Sequence, residues 1–481
     1  MRAEAFRPLS RMHNERDAKV RIRAGERLPP EISSPPALTR TLMLPMRALS
    51  HRAKGIALAC GVLLGASLAV SIAAHQQPFF HIADSSQYLR LANGNVQGAM
   101  QPFASRPLAP MLARALAALL HVSIHGGFYV EAAGSLLVLL AAVCWLMLGA
   151  SAPRWMLVAV VVVPTWVTLV QNLVFPDLFY AALLAVMLLL LEREHLFAAA
   201  LMMFPLMLTR ESTSLTLLCF LLAAWSSLRW RDRITAVVAA AAGTVVVSRL
   251  AAGAQPNVEH LPEAIYMLAK IPWNFLRNML GVLPWSDANT DLCKVPVWSF
   301  PFHFGPVHAL GVCGVSFHQQ LVAIDVTLGN FGLLPMLLGW LWWRSRRSQT
   351  SSLLLRFTLL YGSVSFLLAP VIGAGFLHLV GYAWPLFLVA MPQLFAPFPT
   401  ASVANRRAAA AVGFFAVHLA VCGAAFWTMF LPGIGLKLAL WVVGFLLLYI
   451  WSPETENGPI LPPSQPPKAA QIHSSSMVKS A

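Results

Sequence analysis

The sequence predicts an all-α protein that crosses a membrane many times. Of its 481 residues, 58% are hydrophobic and only 11% are charged, and this balance lies outside the range of soluble domains. Apolar segments close to bilayer-spanning length recur along most of the chain. Together these observations predict a bundle of about twelve transmembrane helices, each needing about 17–25 residues unless it is short or enclosed by protein.

The two ends of the chain differ from this apolar middle. Residues 1–54 are rich in Arg and Pro and lack hydrophobic periodicity, which predicts a disordered basic arm in the cytoplasm. The first apolar run begins near Ile56 and is long enough to remain as a span, so no removable signal peptide is evident. Residues 452–481 contain paired prolines and a run of serines, which predict a disordered cytoplasmic tail. The membrane domain is therefore expected over 55–451.

The apolar segments of this domain are separated by short polar loops and by two long ones. The segments run near 55–74, 126–149, 154–172, 178–191, 196–209, 212–228, 234–252, 320–343, 352–372, 381–398, 409–430 and 434–451. The fourth and fifth are short for a transmembrane helix. Each segment is expected to form one helix of the bundle.

Basic residues between these segments indicate which side each loop faces. They are concentrated in alternate loops, at Arg154, Arg193, 229–233, 344–347 and 406–407. Positive charge is retained on the cytoplasmic side, so the sequence predicts that both termini lie in the cytoplasm. The net charge of +15 has the same cause, and no nucleic-acid partner is expected.

This orientation leaves two long loops on the outer face, at 75–125 and 253–318. In the first loop, apolar residues recur at helical spacing over 84–92 and 108–120. Such amphipathic segments are typical of helices that lie in the membrane interface. We therefore expect two interfacial helices in the first loop, with membrane lipids as neighbours.

The second long loop is rich in aromatic residues and proline. Trp273, Trp285 and Trp298 are residues of the kind that anchor at the head-group level, so this loop is expected to lie on the membrane surface. It also contains Cys293 and Cys313. An outward loop is in an oxidising compartment, where a disulfide can form. The alternative is a pair of unpaired thiols.

Ionisable side chains are sparse within the apolar segments and gather in the outward loops. Asp84 opens the first loop, Asp177 lies between segments three and four, Arg210 and Glu211 lie between segments five and six, and His378 lies between segments nine and ten. Packed helices could bring these loops into one site at the membrane surface. A transporter or lipid flippase, the competing interpretation, would instead keep polar groups along a path through the midplane.

The loop around Asp84 has a distinctive pattern. It reads D-x-x-x-Y-L-x-L-A-x-G and continues as P-F-x-x-R-P-L-x-P, and a later outward turn reads L-T-R-E-S over 208–212. With a second acidic residue at the next outward turn, this order resembles the GT-C superfamily of integral-membrane glycosyltransferases, which includes aminoarabinose transferases and protein O-mannosyltransferases. The resemblance extends over roughly residues 55–400.

This resemblance implies that the protein is a membrane glycosyltransferase. It would transfer a sugar from a polyprenyl-phosphate donor to an acceptor on the periplasmic face with inversion, and the acceptor would be a glycolipid, a glycan or a protein. Asp84 would be the catalytic base, and Asp177, which matches the second acidic position, would orient the acceptor or Asp84. Arg210 would bind the donor phosphate, as a guanidinium can do bidentately, with Arg106 and His378 as further candidates.

The acidic residues have structural alternatives. Asp84 lies three residues before Gln87, the spacing of a helix-capping box, and Asp177 lies where an acid favours a helix N-terminus. Ser85 and Ser86 follow the first acid, so the doubled acidic motif of many GT-C members is missing. This departure argues against a metal-dependent mechanism, although a divalent cation stays an alternative, and no other cofactor is predicted.

The basic residues have structural alternatives too. Arg210 could simply form an ion pair with its neighbour Glu211. Arg106 could extend to lipid head groups, and His378 could be an exposed side chain without a role.

Overall fold

A computed structural model of the chain describes residues 84–149, 165–170, 173–257, 263–290, 292–318, 352–372, 376–390 and 433–451, with further single positions at 163 and between 320 and 338. Within these ranges the chain is mainly helical and contains one small β-sheet. The arm at 1–54, the tail at 452–481 and the apolar segments at 55–74 and 409–430 lie outside the described residues.

The first outward loop forms two helices, as the hydrophobic spacing predicts. α1 spans Ser85–Ala92 and α2 spans Leu108–Leu120, with one turn of 3-10 helix at Phe103–Ser105 between them. Gly94 follows α1 with φ of +81°, a conformation that glycine adopts without steric cost. The chain can therefore turn away directly after α1.

Most of the helices that follow lie within the predicted apolar segments. In chain order the helices are α3 Ile124–Gly149, α4 Thr165–Val170, α5 Asp177–Glu192, α6 Leu196–Leu201, α7 Met203–Thr209, α8 Thr213–Ala224, α9 Trp230–Leu250, α10 Glu263–Leu280, α11 Leu353–Ile372, α12 Phe376–Gly381 and α13 Ile434–Trp451, with a turn of π-helix at Pro385–Ala390 between α12 and α13. The segment at 196–209 forms two helices, α6 and α7. Two helices lie elsewhere: α10 is in the second outward loop, where no helix was predicted, and α12 is in the turn between segments nine and ten.

Three helices in the described ranges are long and apolar enough to cross a membrane. They are Ile124–Met147 within α3, α9 and α11, at the second, seventh and ninth predicted segments. α5, with 16 residues, and α8, with 12, are shorter than the 17–25 or so residues that a lone span needs. The protein is thus mostly helical with helices that could span a membrane.

α5 lies in the main hydrophobic core. Most of its side chains are buried, and it packs against α3, α6, α7 and α11. A helix that is apolar around its circumference is typical of such a central position. With 16 residues at 1.5 Å each, α5 is about 24 Å long, so groups at its two ends belong to opposite ends of the bundle.

The second outward loop contains a sheet, so the all-α prediction is wrong there. β1 Val282–Ser286, β2 Trp298–Phe304 and β3 Val307–Val315 form an antiparallel sheet with the order β1-β3-β2. Pro284 and Pro301 lie in β1 and β2, which are the two edge strands. An edge strand tolerates a residue without an N–H group, and the prolines therefore do not prevent the pairing.

A disulfide stabilises this small sheet. Cys293, in the connection from β1 to β2, is joined to Cys313 in β3. Of the two alternatives that the sequence leaves open, the structure has the disulfide. Cys144 and Cys219 are buried and not part of a disulfide, and they pack as small apolar core residues.

Candidate functional site

A buried cluster of polar residues lies where α5 begins. Pro176 precedes the helix and Asp177 is its first residue, a position where a proline fixes the starting φ and an acid favours the helix dipole. Arg210 follows the end of α7 in an extended conformation. Its Nη1 forms an ion pair with Asp177 Oδ1, so the two outward turns are joined through their side chains.

Tyr382 completes this cluster. Its hydroxyl accepts a hydrogen bond from Arg210 Nη1 and donates one to Asp177 Oδ1. Asp177, Arg210 and Tyr382 are 2%, 6% and 5% exposed, so the ion pair is almost fully withdrawn from water. A buried pair of charges needs such additional hydrogen bonds to offset its lost hydration.

A second ion pair lies beside the first, because Glu211 directly follows Arg210 in the chain. Arg106 Nε and Nη2 donate to Glu211 Oε2 and Oε1 at 2.9 and 2.5 Å, and Arg106 Nη1 donates to Tyr88 Oη at 2.8 Å. Burial alone raises the pKa of the Glu211 carboxyl, but the charge of Arg106 and its hydrogen bonds outweigh this and lower the pKa to about 2. Glu211 is therefore ionised at neutral pH.

The two pairs leave the arginines with balanced charges. Arg106 uses all three of its guanidinium nitrogens on Glu211 and Tyr88, and Arg210 is balanced by Asp177. Both partners of each pair come from segments that lie outside the long apolar helices. The cluster is thus well built to fix the arrangement of α1, α5, α7 and the segment before the π-helix, and it offers a phosphate little uncompensated charge.

Asp84 lies at the edge of this cluster. It is exposed and makes no side-chain hydrogen bond to cap α1, while Gln87 Oε1 instead accepts a hydrogen bond from Met100 N at 3.0 Å. The capping-box alternative is therefore wrong. Partial burial raises the pKa of the Asp84 carboxyl above its ordinary value, and the charges of Arg106 and Lys270 oppose part of this rise.

The outward residues singled out in the sequence largely come together. Asp177, Arg210 and Arg106 belong to one buried cluster, and Asp84 is within electrostatic reach of Arg106. His378 lies in α12, but its side chain is outside the part of the chain that the structure describes. The proposed catalytic and phosphate-binding roles of these residues stay predictions.

The simple alternatives for the two arginines are wrong. Arg210 pairs with Asp177 and its neighbour Glu211 pairs with Arg106, so one local pair is replaced by two pairs between distant segments. Arg106 is buried, with 9% of its surface exposed, and therefore does not reach out to lipid head groups.

Two tyrosines of the cluster had no assigned role in the sequence. Tyr88 belonged to the apolar face of the predicted interfacial helix, and it is indeed fully buried, but its hydroxyl binds Arg106. Tyr382 lies at the predicted outward turn and bridges Asp177 and Arg210. The available signal was the presence of Arg106 and Arg210 in segments otherwise poor in basic residues, since a buried guanidinium needs several acceptors.

A different set of charges lies at the other end of α5. Trp145 Nε1 donates to Glu192 Oε2 at 3.0 Å, and the guanidinium of Arg193 lies 5.4 Å from the centre of the Trp145 ring. Glu192 is the last residue of α5 and Asp177 the first. The residues predicted to face outward and those predicted to face the cytoplasm are thus separated along the bundle.

Within the described ranges, no group of three or more His, Cys, Asp and Glu side chains could hold a metal ion. No protein-family model and no curated protein matches the chain.

Proposed function

We propose that the protein is a GT-C-type glycosyltransferase with twelve membrane spans and both termini in the cytoplasm of a bacterial cell. It transfers a glycosyl group from a polyprenyl-phosphate carrier to an acceptor at the periplasmic face of the inner membrane. The observation that carries the proposal is the environment of Asp84: an exposed carboxylate with a raised pKa, beside a buried cluster in which each arginine already has its own carboxylate.

Asp84 is the base in this mechanism. Its carboxylate takes the proton of the acceptor hydroxyl while that oxygen forms a bond to the anomeric carbon of the donor sugar. The bond from the anomeric carbon to the phosphate oxygen breaks at the opposite face, and its electron pair leaves with the carrier phosphate, so the configuration inverts. A raised pKa brings a carboxylate closer to the value at which proton transfer is efficient near neutral pH.

The remaining cluster residues position this base. Arg106 binds Tyr88 of α1 and Glu211 beside α7, and Asp84 immediately precedes α1. Asp177, Arg210 and Tyr382 hold the start of α5 against the neighbouring turns. We propose a positioning role for these residues, in place of the direct acceptor and phosphate contacts that the resemblance implies for Asp177, Arg210 and Arg106.

The test uses a deletion strain complemented with the full chain. We expect Asp84→Asn to lower the amount of modified envelope glycan by about 10²-fold or more, the contribution expected of a general base, while membrane abundance stays at the wild-type level. Glu194→Gln is the matched control, because Glu194 is exposed and follows Glu192 at the far end of α5. Mass spectrometry of the glycans gives the readout.

Two outcomes contradict the proposal at different levels. Full modification by the Asp84→Asn variant would remove Asp84 as the base. Identical envelope glycans in the deletion strain and its parent would overturn glycosyl transfer itself.

A further inference from the structure

A deep groove separates α10 from the small sheet. Its cavity volume is about 760 Å³, within the range of roughly 300–1,000 Å³ typical of sites for small ligands. One wall is the aromatic face of β2, where Trp298, Phe300, Phe302 and Phe304 alternate along the strand and line the cavity. All four are substantially exposed, between 38% and 60%. The groove thus offers a long apolar surface to an elongated molecule.

The opposite wall carries a polar line along α10. Lys270, Asn274 and Arg277 are spaced by four and three residues and all line the cavity, as expected for one face of a helix. Tyr266 and Trp273 lie on the same wall. The lining contains two basic residues and no acidic one, so the groove favours an anion together with an apolar chain.

Two buried hydrogen-bond donors in the groove favour a ligand with an oxygen-rich head group. Asn274 is 2% exposed and Trp285 is 9% exposed. Neither Asn274 Nδ2 nor Trp285 Nε1 has a hydrogen-bond partner within the described residues, and both residues line the groove. Buried donors without acceptors are costly and rare in folded proteins, and an oxygen-rich ligand would satisfy both.

We propose that this groove binds an isoprenoid phosphate, with the aliphatic chain against the aromatic face of β2 and the phosphate oxygens accepting hydrogen bonds from Asn274, Trp285 and Arg277. The inference deepens the proposed function and rests on it for the identity of the lipid, since it places the carrier outside the cluster around Arg210. Lys270 links the two regions: it lines the groove, and its charge acts on the Asp84 carboxyl. Lys270 lies one helical turn before Asn274 on α10, so the side of the phosphate site that faces Lys270 is the side nearer to the proposed base.

The test measures binding without any sugar transfer. The full-length protein in detergent is titrated with radiolabelled farnesyl phosphate, and bound ligand is separated by gel filtration. We expect Arg277→Gln and Asn274→Leu each to weaken binding by about ten- to a hundredfold, because each removes a donor to a charged oxygen. Arg249→Gln, which removes an exposed cation at the end of α9, should bind like the wild type.

A second ligand and a second variant serve as controls for the binding measurement. Farnesol, which lacks the phosphate, should bind at least tenfold more weakly than farnesyl phosphate to the wild type. Arg277→Lys retains the charge, so it should recover part of the binding lost in Arg277→Gln and serves as the milder variant if Arg277→Gln does not fold.

Three results would overturn the proposal: equal binding of farnesyl phosphate and farnesol, wild-type binding by the folded Arg277 and Asn274 variants, or equal competition by dioleoyl phosphatidic acid, which would indicate a phospholipid site. The proposed function can fail separately. If the groove binds farnesyl phosphate but deletion of the protein leaves envelope glycans unchanged, this inference stands and the proposed function does not.

Discussion

We expect the two members of the Arg106–Glu211 ion pair to differ in how much stability is lost when each is replaced. The Arg106 side chain is 11% exposed and that of Glu211 is 29% exposed. Glu211→Gln leaves a guanidinium with little access to water, and removing one partner of a buried pair costs about 3–5 kcal/mol. Arg106→Gln leaves a carboxylate that water can reach, so its cost should be nearer to about 1–3 kcal/mol, the range for an unsatisfied buried polar group.

The same pair predicts how stability depends on pH. The pKa of the Glu211 carboxyl falls from 4.5 to about 2 on folding, so the stabilisation is complete above pH 4.5 and is lost as the pH falls from 4.5 towards 2. At 1.36 kcal/mol per pKa unit the loss has an upper limit of about 3 kcal/mol, and the partial exposure of Glu211 reduces it. Glu211→Gln should lack this part of the acid sensitivity.

The measurement is denaturation of the detergent-solubilised chain, followed by circular dichroism at 222 nm at pH 7 and at steps down to pH 3. Glu194→Gln, at the other end of α5, controls for the loss of an exposed acid. A greater free-energy loss for Arg106→Gln than for Glu211→Gln would refute the argument from burial. The same acid sensitivity in Glu211→Gln and the wild type would refute the assigned pKa change.

Three other predictions concern the base, the orientation and the disulfide. The base must be ionised and the pKa of Asp84 is raised, so the rate of transfer should increase with pH. In a pH profile of kcat/KM, the midpoint of this increase should lie above the ordinary aspartate pKa of about 3.9. A midpoint below that value would count against Asp84. A cysteine introduced at Asn95 should react with an impermeant thiol reagent added to intact cells whereas one at Ser348 should not, and the opposite pattern would reverse the proposed orientation. Cys313→Ser removes a disulfide between residues separated by 20 positions, and this should lower the stability of the sheet by about 3 kcal/mol. Protease cleavage within 282–315 should become faster. Unchanged cleavage would mean that strand pairing alone holds the sheet.

Most of the helices, though not α10, were predictable from the sequence because hydrophobic spacing is a local signal. α1 and α2 follow the spacing at 84–92 and 108–120, and α3, α9 and α11 follow long apolar runs. The sheet was not accessible in this way. Proline is uncommon within strands, and the place of Pro284 and Pro301 in the two edge strands depends on the strand order β1-β3-β2, which only the tertiary structure sets.

The site was predictable in its composition but not in its pairings. The alternation of basic loops identified the turns that hold Asp177, Arg210 and Glu211. The partners that these residues choose depend on packing between distant segments, since Arg106 is 105 residues from Glu211 and Arg210 is 172 residues from Tyr382. Arg210 and Glu211 are adjacent in the sequence, but their partners come from distant segments and could not be predicted from the local sequence.

The arrangement of Asp177, Arg210 and Tyr382 has a consequence for how the protein can change in evolution. Each of the three polar groups contacts the other two in a space nearly closed to water, so replacing one residue removes a buried partner from both of the others. Homologues should therefore keep all three residues or exchange them together, for example for apolar side chains of similar volume. Such covariation would arise from packing alone, and a residue retained in this way is not thereby shown to touch a substrate.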